Sequence, residues 1–105
     1  MKQFRPTELA AYLQTGAKPT LLDVREEWEW TICHLPDAVR VSLRELSARV
    51  NEFDKADEIV VICHHGVRSY HAAMFMESLG FTDIINLSGG VAAWANEVDP
   101  AMPRY

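Results

Sequence analysis

The sequence predicts a three-layer α/β/α domain on a central, mainly parallel five-stranded sheet, and three observations carry that expectation. Short apolar runs of strand character alternate with helical stretches from end to end, the pattern of βα units joined by right-handed crossovers. Ile59-Val60-Val61-Ile62 is an unbroken β-branched run, suited to a strand covered on both faces. That run empties into Cys63-His64-His65-Gly66-Val67-Arg68-Ser69, and in open α/β sheets ligands gather at the carboxyl ends of strands. With 105 residues, 49% of them hydrophobic, the chain is expected to form one domain over residues 1–105, long enough for one modest core and too short for two ordinary ones.

Taken in order, Lys2 to Arg5 reads as a short edge strand. Pro6-Thr7 serves as lead-in and N-cap of a helix running to about Gln14, with Leu9 and Leu13 on one face and Gly16 as its stop. Thr20 to Val24 is a strand whose end carries the opposite charges Asp23 and Arg25. Glu26 to Trp30 makes a helical turn whose two tryptophans are expected to pack. Thr31 to Ala38 is a loop broken by Pro36, and Val39 to Val41 a brief strand. Ser42 and Glu45 have capping-box spacing, followed by a helix on Leu43, Leu46, Val50 and Phe53. After the central strand, a helix over Ser69 to Leu79 places Ala72, Met76 and Leu79 on one stripe and stops at Gly80. Ile84 to Leu87 is the fifth strand, Gly89-Gly90 a tight turn needing positive φ, and Val91 to about Val98 the last helix; Pro100 and Pro103 then hold the tail extended.

The formal net charge of −5 and pI near 5.2 argue against general affinity for nucleic acid or anionic membrane, so any anion site must be local. No apolar stretch approaches the roughly 20 residues that span a bilayer, and no basic start precedes an apolar run, so a cytoplasmic location is expected. In that reducing setting Cys33 and Cys63 are read as free thiols.

Chemistry is expected at Cys63. Backbone N–H groups from His64 to Arg68 should curl around its sulfur, the following helix adds its positive end, Arg68 a permanent charge, and His64 and His65 titratable ones. Each feature favours a negative sulfur, and a nucleophilic thiolate is the expected product. A cysteine ending a buried strand is often an inert small hydrophobe, but a histidine pair, a glycine and an arginine in one tight loop favour reactivity. His71 is assigned to the surface or its boundary and Cys33 to a structural or incidental role. Neither Cys33-His34 nor Cys63-His64-His65 has the ligand spacing of common zinc sites, and Gly89-Gly90 lacks the third glycine and the lysine of phosphate cradles. No metal and no organic cofactor are expected.

Leu21-Leu22-Asp23-Val24-Arg25, His34-Leu35-Pro36 with Ala38, the loop Cys63 to Arg68 with Ser69, and Gly80-Phe81 through Leu87-Ser88-Gly89-Gly90 with Trp94 stand in an order in which the chain resembles the single-domain rhodanese-like sulfurtransferases over nearly its full length. The resemblance implies the rhodanese-like fold, with Cys63 accepting a sulfane sulfur as a persulfide. It also implies His64, His65, Gly66, Val67 and Arg68 as the persulfide-binding loop, with Ser69, Asp23 and Arg25 in support. Two departures stand out: the family usually has glycine where Cys33 and Asp37 stand. The four residues between Cys63 and Arg68 separate this loop from those of the related cysteine-dependent phosphatases, which take five to admit a tetrahedral phosphate, and phosphatase or arsenate-reductase activity is the less favoured alternative.

The implied partners are a small anionic sulfur donor such as thiosulfate and, as acceptor, cyanide, a small thiol or a protein thiol. The alternative is a protein-partnered sulfur relay with weak small-molecule activity. The residues leave open the physiological donor, the oligomeric state, and whether Cys33 resolves the persulfide.

Overall fold

The computed structural model describes all 105 residues. Five strands, β1 (Lys2–Phe4), β2 (Thr20–Asp23), β3 (Val39–Arg40), β4 (Ile59–Ile62) and β5 (Ile84–Leu87), form one sheet in the order β1-β5-β4-β2-β3. Every pairing is parallel. The helices are α1 (Pro6–Gln14), α2 (Glu27–Ile32), α3 (Leu46–Arg49), α4 (Val67–Ser78) and α5 (Gly90–Glu97).

β4 lies at the centre, and its alternation decides where the site falls. Ile59, Val61 and Cys63 face one apolar layer with Ala72, Ala73 and Met76 of α4. Val60 and Ile62 face the other, with Leu9 of α1 and Val91, Trp94 and Ala95 of α5. Successive strand side chains point to opposite faces, so an all-apolar strand is the solution for a sheet covered twice. Each fully buried aliphatic side chain there contributes roughly 1.5–3 kcal/mol. The register sets Asp23 opposite Ile62, which brings the outgoing ends of β2 and β4 side by side.

Several boundaries differ from the sequence expectation for identifiable reasons. The first helix begins at Pro6, whose missing N–H is no loss at a first helical position, and the Glu8 carboxylate accepts from the Arg5 N–H at 2.9 Å. Thr7 is therefore inside the helix rather than its cap. The stretch after β3 is not one helix from Ser42. Ser42 spends its hydroxyl on the Glu45 carboxylate at 2.6 Å, residues 43–45 form a turn, and only α3 and a 3-10 turn at Val50–Glu52 follow. Leu43 is consequently exposed, while Leu46 and Val50 are buried. α4 starts two residues before Ser69 and buries Ser69, Ala72, Ala73 and Met76, so Leu79 is exposed instead of lying on the core stripe. Asp37 adopts φ 65, a left-handed conformation that glycine takes without steric cost.

The chain end does not hang free. Met102 is buried and Tyr105 half-buried against the layer of α1 and α5. Of the two tryptophans expected to pack, Trp30 stacks on His34 with ring centroids 3.8 Å apart, whereas Trp28 is 61% exposed.

Candidate active site

Cys63 follows directly on β4, and its sulfur sits inside the turn into α4. The N–H groups of Gly66 and Ser69 point at Sγ from 3.1 and 3.3 Å, and Ser69 Oγ lies 3.3 Å away. Gly66 makes the turn possible by taking φ 92 as the residue before α4; a Cβ there would crowd Gly89 N at 2.9 Å and Leu87 O at 3.1 Å. The cradle is narrower than the sequence suggested, since two N–H groups reach the sulfur rather than all those from His64 to Arg68. Its positive end is the N-terminus of the 12-residue α4. Cys63 itself is 1% exposed.

The far side of the loop is closed by α5. Val91 N and Ala92 N donate to the carbonyls of Cys63 and His64 at 2.9 and 3.0 Å. This approach requires glycine at position 90, with φ 60, because a Cβ would fall inside those two carbonyls. The expected turn of Gly89 and Gly90 at positive φ is thus present, and it abuts the cysteine loop.

Asp23 and Arg25 come together as a fully buried pair. Arg25 Nε donates to Asp23 Oδ1 at 2.9 Å and Nη2 to Oδ2 at 2.7 Å. Burial alone disfavours the charged guanidinium, but its bonds to Asp23 and to the Tyr105 hydroxyl outweigh that and raise its pKa above the ordinary arginine value. Arg25 also donates to the Cys33 carbonyl at 2.6 Å, tying the end of β2 to the end of α2.

Arg68 occupies the first turn of α4 rather than a free loop. Its two terminal nitrogens donate to the two carboxylate oxygens of Glu29 at 2.7 Å each. The bonds to Glu29 raise the Arg68 pKa, and Cys63 in its charged form adds to that rise. Glu29 is almost fully buried. The Arg68 bonds hold its carboxyl down at about 2, against burial, with help from the Tyr105 hydroxyl and the Glu26 N–H.

Three residues of this cluster were not singled out in the sequence. Glu29 looked like one more acid in an acidic turn, although a partly buried arginine at the start of α4 calls for a carboxylate partner. Tyr105 donates to Glu29 Oε2 at 2.7 Å and accepts from Arg25 Nη1 at 3.0 Å; burial pushes its hydroxyl up to about 12. Asn86, polar in an otherwise apolar strand, accepts from Ser69 Oγ at 2.5 Å and donates to Gly66 O at 3.1 Å and Gln3 Oε1 at 2.9 Å. A lone amide in Ile84-Ile85-Asn86-Leu87 was the available clue.

His64 and His65 are adjacent, with ring centroids 3.9 Å apart, and Tyr105 stacks on His64 at 3.9 Å. Burial, then the neighbouring His65, lowers the His64 pKa below the usual imidazole value. Val67 is 64% exposed on the outer side of the loop. Cys33 lies in the layer of α1 and α5, opposite the layer that receives Cys63, and both thiols are free. His71 is exposed.

The model of the Rhodanese-like domain family matches residues 5–97. A probable adenylyltransferase/sulfurtransferase, MoeZ, of Mycobacterium tuberculosis is 35% identical over 102 residues, 95% of this chain. The chain spans only 26% of that relative's length. Thiosulfate sulfurtransferase GlpE of Pseudomonas syringae is 31% identical over 93 residues, covering 89% of this chain and 86% of the relative. The crystal structure of a rhodanese-like domain protein from Staphylococcus aureus superposes with a TM-score of 0.86 at 28% identity, covering 93% of this chain and 95% of that one. The matched span contains the sheet from β2 to β5, the cysteine loop and the helices around it, and the chain belongs to the rhodanese-like domain family.

Proposed function

We propose that this chain, working as one domain in the cytoplasm, is a sulfurtransferase whose nucleophile is Cys63. The observation that carries the reading is the pair of N–H groups from Gly66 and Ser69 aimed at Cys63 Sγ at a helix N-terminus. Preorganised donors of this kind stabilise negative charge without reorganising during reaction. The Cys63 thiolate attacks the outer sulfur of a donor such as thiosulfate; the S–S bond breaks and its electron pair leaves with sulfite. An acceptor thiolate or cyanide then attacks the outer sulfur of the Cys63 persulfide, and the pair returns to Cys63. His64, His65, Gly66, Val67 and Arg68 form the loop around that sulfur, and Ser69, Asp23 and Arg25 support it. Because Cys63 is buried, a donor reaches it only as side chains at the loop mouth move aside. The reading is tested by incubating the protein with thiosulfate and cyanide and measuring thiocyanate. Wild type should produce it and Cys63→Ser should not; equal rates in both would end the proposal.

A second reading, in which the sulfur passes to or from a protein, is supported by the outer face of α4. Val67, Tyr70 and Met74 stand at i, i+3 and i+7, exposed by 64%, 39% and 49%, and this stripe begins next to Gly66. Intact mass spectrometry of protein purified from cells tests it. A relay should carry an extra sulfur on Cys63 that transfers to a protein thiol faster than to cyanide; discharge to cyanide alone would favour the small-molecule enzyme.

A further inference from the structure

Asn86 is the polar residue of an otherwise apolar strand, and it faces the cysteine loop. In β5, Ile84 lies in the layer of α4 and Ile85 and Leu87 in the opposite one. Alternation therefore turns Asn86 toward α4, on the face where Cys63 lies. It is buried, where an amide without partners would be costly, and its bonds fix which way the amide points. Gly66 O lies 3.1 Å from one end, and a backbone carbonyl only accepts, so that end is Nδ2. The other end, Oδ1, faces Ser69 Oγ at 2.5 Å. An amide oxygen also only accepts, and Ser69 has a single hydroxyl hydrogen, so that hydrogen is committed to Asn86. Toward Cys63 Sγ, 3.3 Å away, Ser69 Oγ is left with lone pairs alone. It accepts the hydrogen of the resting thiol and has none to offer a negative sulfur. Charge on Sγ is then met only by the N–H groups of Gly66 and Ser69.

We propose that Asn86 is a positioning residue for sulfur transfer: by taking the Ser69 hydrogen it makes that hydroxyl an acceptor toward Cys63 and leaves the departing sulfur to the two backbone N–H groups. The inference rests on the sulfur-transfer reading above and adds the residue that sets how readily Cys63 gives its sulfur up. In discharge to cyanide, the cyanide carbon attacks the outer sulfur of the Cys63 persulfide. A C–S bond forms, the S–S bond breaks, its electron pair returns to Sγ, and thiocyanate leaves. Charge grows on Sγ as that bond breaks, so a third donor aimed at Sγ would speed the step. Asn86 withholds that donor. Without the amide oxygen, the Ser69 hydrogen turns to Sγ, while the Val91 and Ala92 N–H groups still brace the loop through the carbonyls of Cys63 and His64.

The test loads each protein with thiosulfate, confirms the added sulfur by intact mass, and measures single-turnover discharge to cyanide. In an otherwise wild-type chain, Ser69→Ala should slow discharge by no more than about twofold, because the hydroxyl gives the sulfur no hydrogen. In an Asn86→Leu chain the same substitution should slow it by at least about fivefold, as expected for loss of a hydrogen bond to a charged acceptor. Asn86→Val, made in parallel in case the leucine variant does not fold, carries the same expectation. Each comparison stays within one background, so general damage from the change at Asn86 cancels; a merely structural role would give Ser69→Ala the same effect in both. A loss beyond about twofold in the wild-type background would overturn the proposal without any variant of Asn86. A loss smaller than about fivefold in the Asn86 variants would overturn it as well. Failure of Cys63 to take up sulfur in wild type would instead overturn the sulfur-transfer reading on which the proposal stands.

Discussion

Replacing Glu29 with glutamine removes the charge that anchors Arg68 and turns one of the two oxygens that accept from Arg68 and the Tyr105 hydroxyl into an NH2 donor. Glu29 is held at about 2 instead of 4.5, and at about 1.36 kcal/mol per unit that difference favours the charged folded form by about 3 kcal/mol. Removing one member of a buried pair costs about 3–5 kcal/mol where the other member is trapped without water. Arg68 is about a third exposed and regains some hydration, so about 2–3 kcal/mol is expected for Glu29→Gln. With a urea slope of about 1–3 kcal/mol/M for a small protein, the unfolding midpoint should fall by about 1–2 M. Tryptophan fluorescence during urea unfolding reads this directly. The sign with pH follows from the lowered pKa. The contribution of Glu29 is fully present above the unfolded value near 4.5 and is lost as pH falls from there toward 2. The gap between wild type and variant should therefore shrink to less than half by about pH 3. A gap below about 1 kcal/mol at pH 7, or one that does not change with pH, would refute the reasoning.

Other perturbations separate the parts of the site. Gly90→Ala forces a side chain at φ 60 against the carbonyls of Cys63 and His64; it should cost at least about 2 kcal/mol in urea unfolding and abolish sulfur loading, and a stable, active variant would show that α5 does not brace the loop. Tyr105→Phe removes the hydroxyl shared by Arg25 and Glu29 and should lower stability by about 1–2 kcal/mol; an unchanged melting temperature would count against that bridge. Tyr105→Ala should raise the His64 pKa toward its ordinary value by relieving burial, measured by NMR titration of the imidazole, and no upward shift would contradict the stacking. Cys33→Ala should leave the rate of sulfur release within about twofold, because Cys33 and Cys63 face opposite layers and the two thiols cannot meet across the sheet; a large slowing would mean that they do.

The parts of the site legible in the sequence are those made of neighbours along the chain. The β-branched run of β4, the glycine at position 66 and the count of residues to Arg68 each constrain backbone within a few positions, and local steric rules decide such features. The same holds for Asp23 and Arg25, two residues apart. Glu29, Asn86 and Tyr105 were missed because their partners are distant in sequence: Arg68 meets Glu29 across 39 positions, and Tyr105 meets it across 76. An acid in an acidic turn and a tyrosine near two prolines have the same local appearance whether solvated or buried. The Ser42–Glu45 pattern failed for a different reason. The hydroxyl could accept from the Glu45 N–H, as a capping box requires, or donate to the Glu45 carboxylate, and it donates to the carboxylate, so capping-box spacing produced a turn and a four-residue helix. The tail was misread because proline predicts an extended backbone but not where it docks; Met102 and the Tyr105 ring provide the apolar contacts that hold it over the loop.

The central claim is that Cys63 is the nucleophile that takes up and carries the sulfur, its Sγ held by the N–H groups of Gly66 and Ser69. Intact mass spectrometry after incubation with thiosulfate, followed by peptide mapping, tests it most directly. One added sulfur on Cys63 in wild type and in Cys33→Ala, lost on adding cyanide and absent from Cys63→Ser, is the predicted result. Sulfur retained in Cys63→Ser, or mapped to Cys33, would contradict the account.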